Sequence, residues 1–238
     1  MSLEAVADAI LARRNGATPY VVGVTGSVAS GKSTLARALA PLLAVHGSTV
    51  EIIETDGFLL PNAVLAGRGL EFRKGFPETY DLASLASALT GLRSRAVSVP
   101  AYSHATYDVD PAAARILTPT DIVLVEGLVL GVDRPVAPGA AALIDCLLFI
   151  DAAEADLEAW FVARFMGFWE AAADDPSSFY VRFRDCDRAG AEALAKLVWT
   201  SINLPNLRQH IAPVRAYADL VVVKAADHAV SRVVTGGA

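Results

Sequence analysis

GSVASGKST, running from Gly26 to Thr34, fits G-x-x-x-x-G-K-[ST] with Gly26, Gly31, Lys32 and Ser33 at the fixed positions. YVVGVT (Tyr20–Thr25), an apolar β-rich run, precedes it, and LARALAPLLA (Leu35–Ala44), apolar at helical spacing, follows. Strand, glycine loop and helix in that order separate a phosphate-binding loop from a chance match. Along Gly26, Ser27, Val28, Ala29, Ser30, Gly31, Lys32, Ser33 and Thr34 the backbone N–H groups can turn inward onto phosphate oxygens. The helix that starts there adds the positive end of its dipole. Lys32 is expected to reach the β- and γ-phosphates of ATP and Ser33 to ligate Mg²⁺. The stretch implies a nucleoside triphosphate.

At 238 residues the chain suits one α/β domain, 1–238, with a substantial core. Hydrophobic residues make up 54% and charged residues 19%, a well-buried globular composition. A net charge of −6 argues against a general nucleic-acid binder, which carries a basic surplus. Cys146 and Cys186 lack metal-ligand spacing, so a reduced protein without disulfides or zinc is expected. The best candidate for a membrane span, around Ala140–Ile150, is broken by Asp145. Glu4 and Asp8 before Arg13 and Arg14 do not form a signal-peptide layout, which makes the cytoplasm the expected location.

Along the chain, Leu3–Arg13 reads as a short amphipathic helix and Thr49–Glu54 as the second strand, with Gly47-Ser48 ending the helix between. Phe58–Tyr80 reads as a long charged loop, and Asp81–Leu92 as a helix with Asp81 as N-cap. Val97–Val109 is an extended segment. Asp121–Val125, Leu143–Ile150 and Leu220–Val223 read as strands; Ala155–Ala172 and Gly190–Ile211 read as helices, the latter interrupted near Pro205. Strands alternating with helices predict a three-layer α/β fold with a mostly parallel central sheet. A helical lid is expected over roughly 153–210.

Asp56 and Glu126 each follow a strand, where ligands of a parallel sheet gather. Phosphoryl transfer needs one acid at the acceptor hydroxyl and commonly a second near Mg²⁺; Asp56 is assigned the first role and Glu126 the second. Phe161, Phe165 and Phe168 form one helical stripe with Arg164 beside it. Spacing alone leaves two readings even: a phosphate-clamping arginine over an acceptor pocket, or a buried aromatic face with a snorkelling arginine. His104 and His228 are equally open.

Beyond the phosphate loop the chain resembles the bacterial type I pantothenate kinases over roughly Pro19 to Val234. The resemblance rests on TDGFLLPNAVLAGRGL (Thr55–Leu70), RKGFPETYD (Arg73–Asp81), VPAYSHATYDV (Val99–Val109), ARFMGF (Ala163–Phe168), INLPNL (Ile202–Leu207) and ADHAV (Ala226–Val230). It implies ATP- and Mg²⁺-dependent phosphorylation of the primary alcohol of pantothenate, the first step to coenzyme A. It also implies that Asp56 is the base and that Tyr102, His104, Phe168, Tyr180 and Asn203 contact the acceptor. Arg164 would be the lid arginine, and His228 would lie beside the adenine. Coenzyme A inhibition overlapping the ATP site, through Arg37, His104 and Phe168, and a homodimer are further implications.

The chain departs from that pattern in three places. It begins close to its first strand, so parts of the nucleotide pocket that an N-terminal segment supplies in typical members are expected to be absent or replaced. Phe161 stands where the family usually carries an acceptor-contacting tyrosine, and losing that hydroxyl can weaken or redirect acceptor choice. Val129 replaces an expected asparagine, before a short connection to Leu143. A kinase of another small alcohol, a nucleoside or sugar, is therefore the near alternative, and a nucleotide-dependent regulatory protein a more distant one. The sequence holds no N-K-x-D or T-K-x-D guanine-reading motif.

Overall fold

The computed structural model describes residues 2–132 and 140–236. Its centre is a six-stranded sheet in the order β2-β5-β1-β6-β7-β8. These strands are β1 (Tyr20–Gly26), β2 (Val50–Glu54), β5 (Ile122–Gly127), β6 (Cys146–Asp151), β7 (Leu220–Lys224) and β8 (Val230–Thr235). β3 (Val97–Ser103) and β4 (Asp108–Leu117) form a separate antiparallel pair. The pairings from β2 through β7 are parallel and only β8 runs antiparallel, which makes the sheet mostly parallel as predicted.

β1 and β5 are buried along their whole length, as central strands of a sheet covered on both faces must be. Their side chains divide the core with period two. Val21, Val123, Val125, Leu147 and Phe149 face one layer, which also holds Leu85, Leu89, Trp160 and Trp199. Val22, Val24, Ile122, Leu124 and Leu148 face the other, against Val6, Ile10, Leu35 and Leu39. The second layer is supplied by α1 (Leu3–Leu11) and α2 (Lys32–Leu43), the first in part by α4 (Leu82–Gly91). Asp81 caps α4 as predicted, its Oδ1 accepting from the Ser84 amide at 2.9 Å. α5 (Glu154–Ala171) and α6 (Arg188–Val198) pack against each other around Phe165, Met166, Trp169, Ala191 and Ala195, a small core of their own.

Some boundaries differ from the sequence reading. α2 ends at Leu43, and Gly47 closes a separate turn, Val45–Gly47. The stretch read as a loop from Phe58 to Tyr80 contains α3 (Asn62–Gly67) and two short helical turns. β4 and β8 were not anticipated: β4 exposes most of its residues and β8 is an outer strand, so neither alternates clearly. The helical run past α6 does not break at Pro205; it continues through wide helical turns at Trp199–Asn203 and Leu207–Ile211. Part of the short connection after Val129 lies outside the described residues.

Leu124 is fully buried in the central strand β5. Leu124→Ala should lower unfolding free energy by about 2–5 kcal/mol, read from urea denaturation followed by far-UV circular dichroism.

Candidate active site

The carboxyl ends of the parallel strands gather the chemistry. β1 delivers the loop and α2 leaves it. Gly31, at φ 82°, takes the left-handed turn that starts α2, and Ala29 adopts φ 60° within the same bend. Lys32 folds back across the loop, its Nζ donating to the Ser27 carbonyl at 2.9 Å. The Ser33 hydroxyl donates to Glu126 Oε1 at 2.5 Å. Ser27 Oγ, Ser30 Oγ and Thr55 Oγ1 are buried without protein partners, polar atoms left over for a ligand that reaches the loop.

Lys32 lies among charges. Burial pulls its pKa down, and Glu126 and Asp56 oppose that, while Arg164 adds to it. Glu126, buried at the end of β5, is pushed up by desolvation and held back by Lys32 and by the Ser33 hydrogen bond. Asp56 sits in the turn Thr55–Phe58 after β2 and accepts from the buried Tyr80 hydroxyl at 3.2 Å. Gly57 must follow it, because a side chain there would run into the Pro100 carbonyl of β3.

The side of the site beside β3 is aromatic. Tyr102 and His104 of β3 and its turn meet edge to face, with centroids 5.1 Å apart. His104 faces Phe168 at 6.3 Å, and Phe168 stacks on Tyr180 at 5.1 Å. Arg164 of α5 lies 3.3 Å from His104 Nε2 and over the Phe168 ring. Burial, then Arg164, pulls His104 below its usual pKa, which favours the neutral ring that can accept from the guanidinium. The structure thus brings Tyr102, His104, Arg164, Phe168 and Tyr180 together. The buried Asn203 Nδ2 has no protein partner and stands in a wide helical turn of the kind that recurs at functional sites.

Three expected residues sit apart from that group. Phe161 packs 5.9 Å from Trp199 and 6.4 Å from Phe165, at the seam between the main core and the small core of α5 and α6. Exposed His228 lies in the β7–β8 turn at φ 66°, with one ring face stacked on Trp160 at 4.0 Å. Arg37 pairs with Glu54 at 3.0 Å on the exposed side of α2.

Sequence reasoning missed Lys224, Tyr80 and Lys74. Lys224 ends β7 and donates to the Ser30 carbonyl at 2.8 Å, directly over Gly31. Burial, then Lys32, lowers its pKa. Its place at the carboxyl end of a parallel strand was the available signal. Lys74 reaches Asn62 and the Tyr107 carbonyl, and burial pulls its pKa down to about 8. No sequence spacing relates those partners.

Residues 21–164 match the phosphoribulokinase/uridine kinase family. The chain is 45% identical over 237 residues to a pantothenate kinase of Sorangium cellulosum, covering 97% of this chain and 77% of that one. It is 43% identical to a pantothenate kinase of Mesorhizobium japonicum, with coverage of 91% and 71%. Among solved structures, a candidate fructose transport system kinase from a Silicibacter species is similar at TM-score 0.71 and 28% identity, with 87% of this chain and 93% of that one covered. The loop geometry and these likenesses agree: the chain belongs to the phosphoribulokinase/uridine kinase family and, within it, to the pantothenate kinases, and is an ATP-dependent small-molecule kinase.

Proposed function

We propose that this chain transfers the γ-phosphoryl group of ATP to the primary alcohol of pantothenate, giving 4'-phosphopantothenate. The observation that carries the reading is the meeting of an acid, Asp56, and an aromatic acceptor face with a phosphate loop, in a chain more than 40% identical to named pantothenate kinases. The left-handed bend and the orphaned serine hydroxyls fit a triphosphate.

Among the described residues no group of three or more His, Cys, Asp or Glu could hold a metal by itself. The Ser33–Glu126 pair does fit a magnesium site completed by phosphate oxygens, as phosphate-loop enzymes build it. Mg²⁺ bound there would supply charge neutralisation on the phosphates. Asp56 accepts the proton of the acceptor hydroxyl, while Tyr80 fixes the orientation of its carboxylate. Lys32 and Arg164 lie where charge on the moving phosphoryl group needs neutralising, and the lid excludes water. The orphaned Asn203 amide donates to a polar group of the acceptor. Inhibition by coenzyme A in competition with ATP, implied by the resemblance at Arg37, His104 and Phe168, is carried as part of this reading; His104 and Phe168 lie on the aromatic face, and Arg37 lies apart from it, paired with Glu54. Among the described residues no helix is long and apolar enough to cross a membrane.

Release of ADP from Mg·ATP, measured with pantothenate beside nucleosides and sugars, should be stimulated by pantothenate well above the rest. Preference for another alcohol would keep the mechanism and replace the substrate. Asp56→Asn should lower kcat by about 10²–10⁴-fold with ATP affinity retained; near-normal turnover would refute the base. Asn203→Ala should raise the pantothenate KM by about tenfold and leave that for ATP unchanged, as steady-state kinetics in both substrates would show.

A further inference from the structure

The lid meets the body of the protein at the turn between β3 and β4. There the Phe179 amide donates to the Ala105 carbonyl at 2.7 Å. The Phe179 ring stacks on Tyr107 with centroids 4.5 Å apart and an interplanar angle of 30°. Tyr107 is held at φ 57°, a left-handed conformation uncommon for a bulky residue, so something must fix it. Lys74 is placed to do so. Its ammonium donates to the Tyr107 carbonyl at 2.5 Å and to Asn62 Oδ1 at 2.6 Å. Asn62 Nδ2 donates to the same carbonyl at 2.9 Å, and the Asn62 amide donates to Asp108 Oδ1 at 3.0 Å. The remaining charge of Lys74 lies over two rings, 4.4 Å from the centroid of Tyr107 and 4.9 Å from that of Tyr102.

Tyr107 and Phe179 also close an aromatic circuit. Tyr102 meets Tyr107, Tyr107 meets Phe179, Phe179 meets Tyr180, Tyr180 meets Phe168, and Phe168 meets His104, which returns to Tyr102. Half of that circuit belongs to the lid and half to the body. We propose that Lys74 is a positioning residue of the acceptor site: by pinning the Tyr107 turn it prepares the surface on which Phe179 docks, and this docking closes the lid over the acceptor. Lys74 acts through Tyr107 and Phe179, so removing it loosens the acceptor side and leaves the phosphate loop as it is. The inference rests on the kinase reading above, but not on which alcohol fills the pocket.

The test is a double-mutant cycle with Lys74→Met, Phe179→Leu and the pair, measuring kcat, both KM values and the melting temperature. Each single variant should raise the acceptor KM by about tenfold with the ATP KM within about twofold, and the pair should be little worse than either single. Effects that multiply in the pair, or KM values that rise alike for both substrates, overturn the proposal. If Lys74→Met does not fold, Asn62→Ala, which removes one tether and keeps the lysine, is run in the cycle against the same two outcomes. A wild type that ignores pantothenate overturns only the substrate reading, and the cycle is then read with the alcohol that it does phosphorylate.

Discussion

Lys32 is a half-buried charge, and the carboxyl ends of the central strands are arranged around it. A partly desolvated ammonium is tolerated when it is hydrogen-bonded and faced by carboxylates. The Ser27 carbonyl supplies the bond, and Glu126 and Asp56 supply the opposing charge. Arg164 and Lys224 also bear on this place, and Glu54, which acts on Glu126 too, is taken up by its pair with Arg37. Lys32, Lys224 and Arg164 converge on the loop, and phosphate oxygens there would give all three a counter-charge. Binding and stability are linked here: the same charges that repel one another around the loop favour an anionic ligand there.

That arrangement explains where the acids are. Glu126 is on β5 and Asp56 follows β2, and in the sheet order these strands lie side by side next to β1. Parallel pairing in register sets Glu54 against Glu126 and Val24 against Glu126, so the loop after β2 opens beside the one after β1. Order in the sheet, not order in the chain, makes the site. The opposite flank contributes Lys224 by the same rule, since β7 ends beside β6 with its carboxyl end turned the same way.

These relations decide what was legible in the sequence. β1, β5 and α5 could be read because long apolar runs with a motif attached leave little choice of structure. Asp56 and Glu126 could be read because a strand end in a parallel sheet is a position of known meaning. β4 could not, since its Ala112–Ala114 run is exposed and carries no alternation. Lys224 offered only its strand-end position as a signal, and Lys74 offered none. Lys224 meets Ser30 across 194 residues and Lys74 meets Tyr107 across 33, and a lone lysine in a sequence looks like any solvated lysine. What was missed is contact between distant segments, for which local pattern holds no signal.

Phe161 shows how the two kinds of information combine. The resemblance marks it as a lost hydroxyl, whereas the structure puts its ring between Trp199 of the main core and Phe165 of the small core of α5 and α6. α5 crosses from one core to the other here, with Trp160 packed on the body and Phe165 on α6. A hydroxyl at that seam needs a partner or it costs stability, and an apolar ring does not. Phenylalanine therefore favours firm packing of α5 at the point from which Arg164 projects. On the pantothenate reading proposed above, the polar contacts to the acceptor would fall to other residues, Asn203 among them. One residue thus ties the packing of α5 between the two cores to the point from which Arg164 projects.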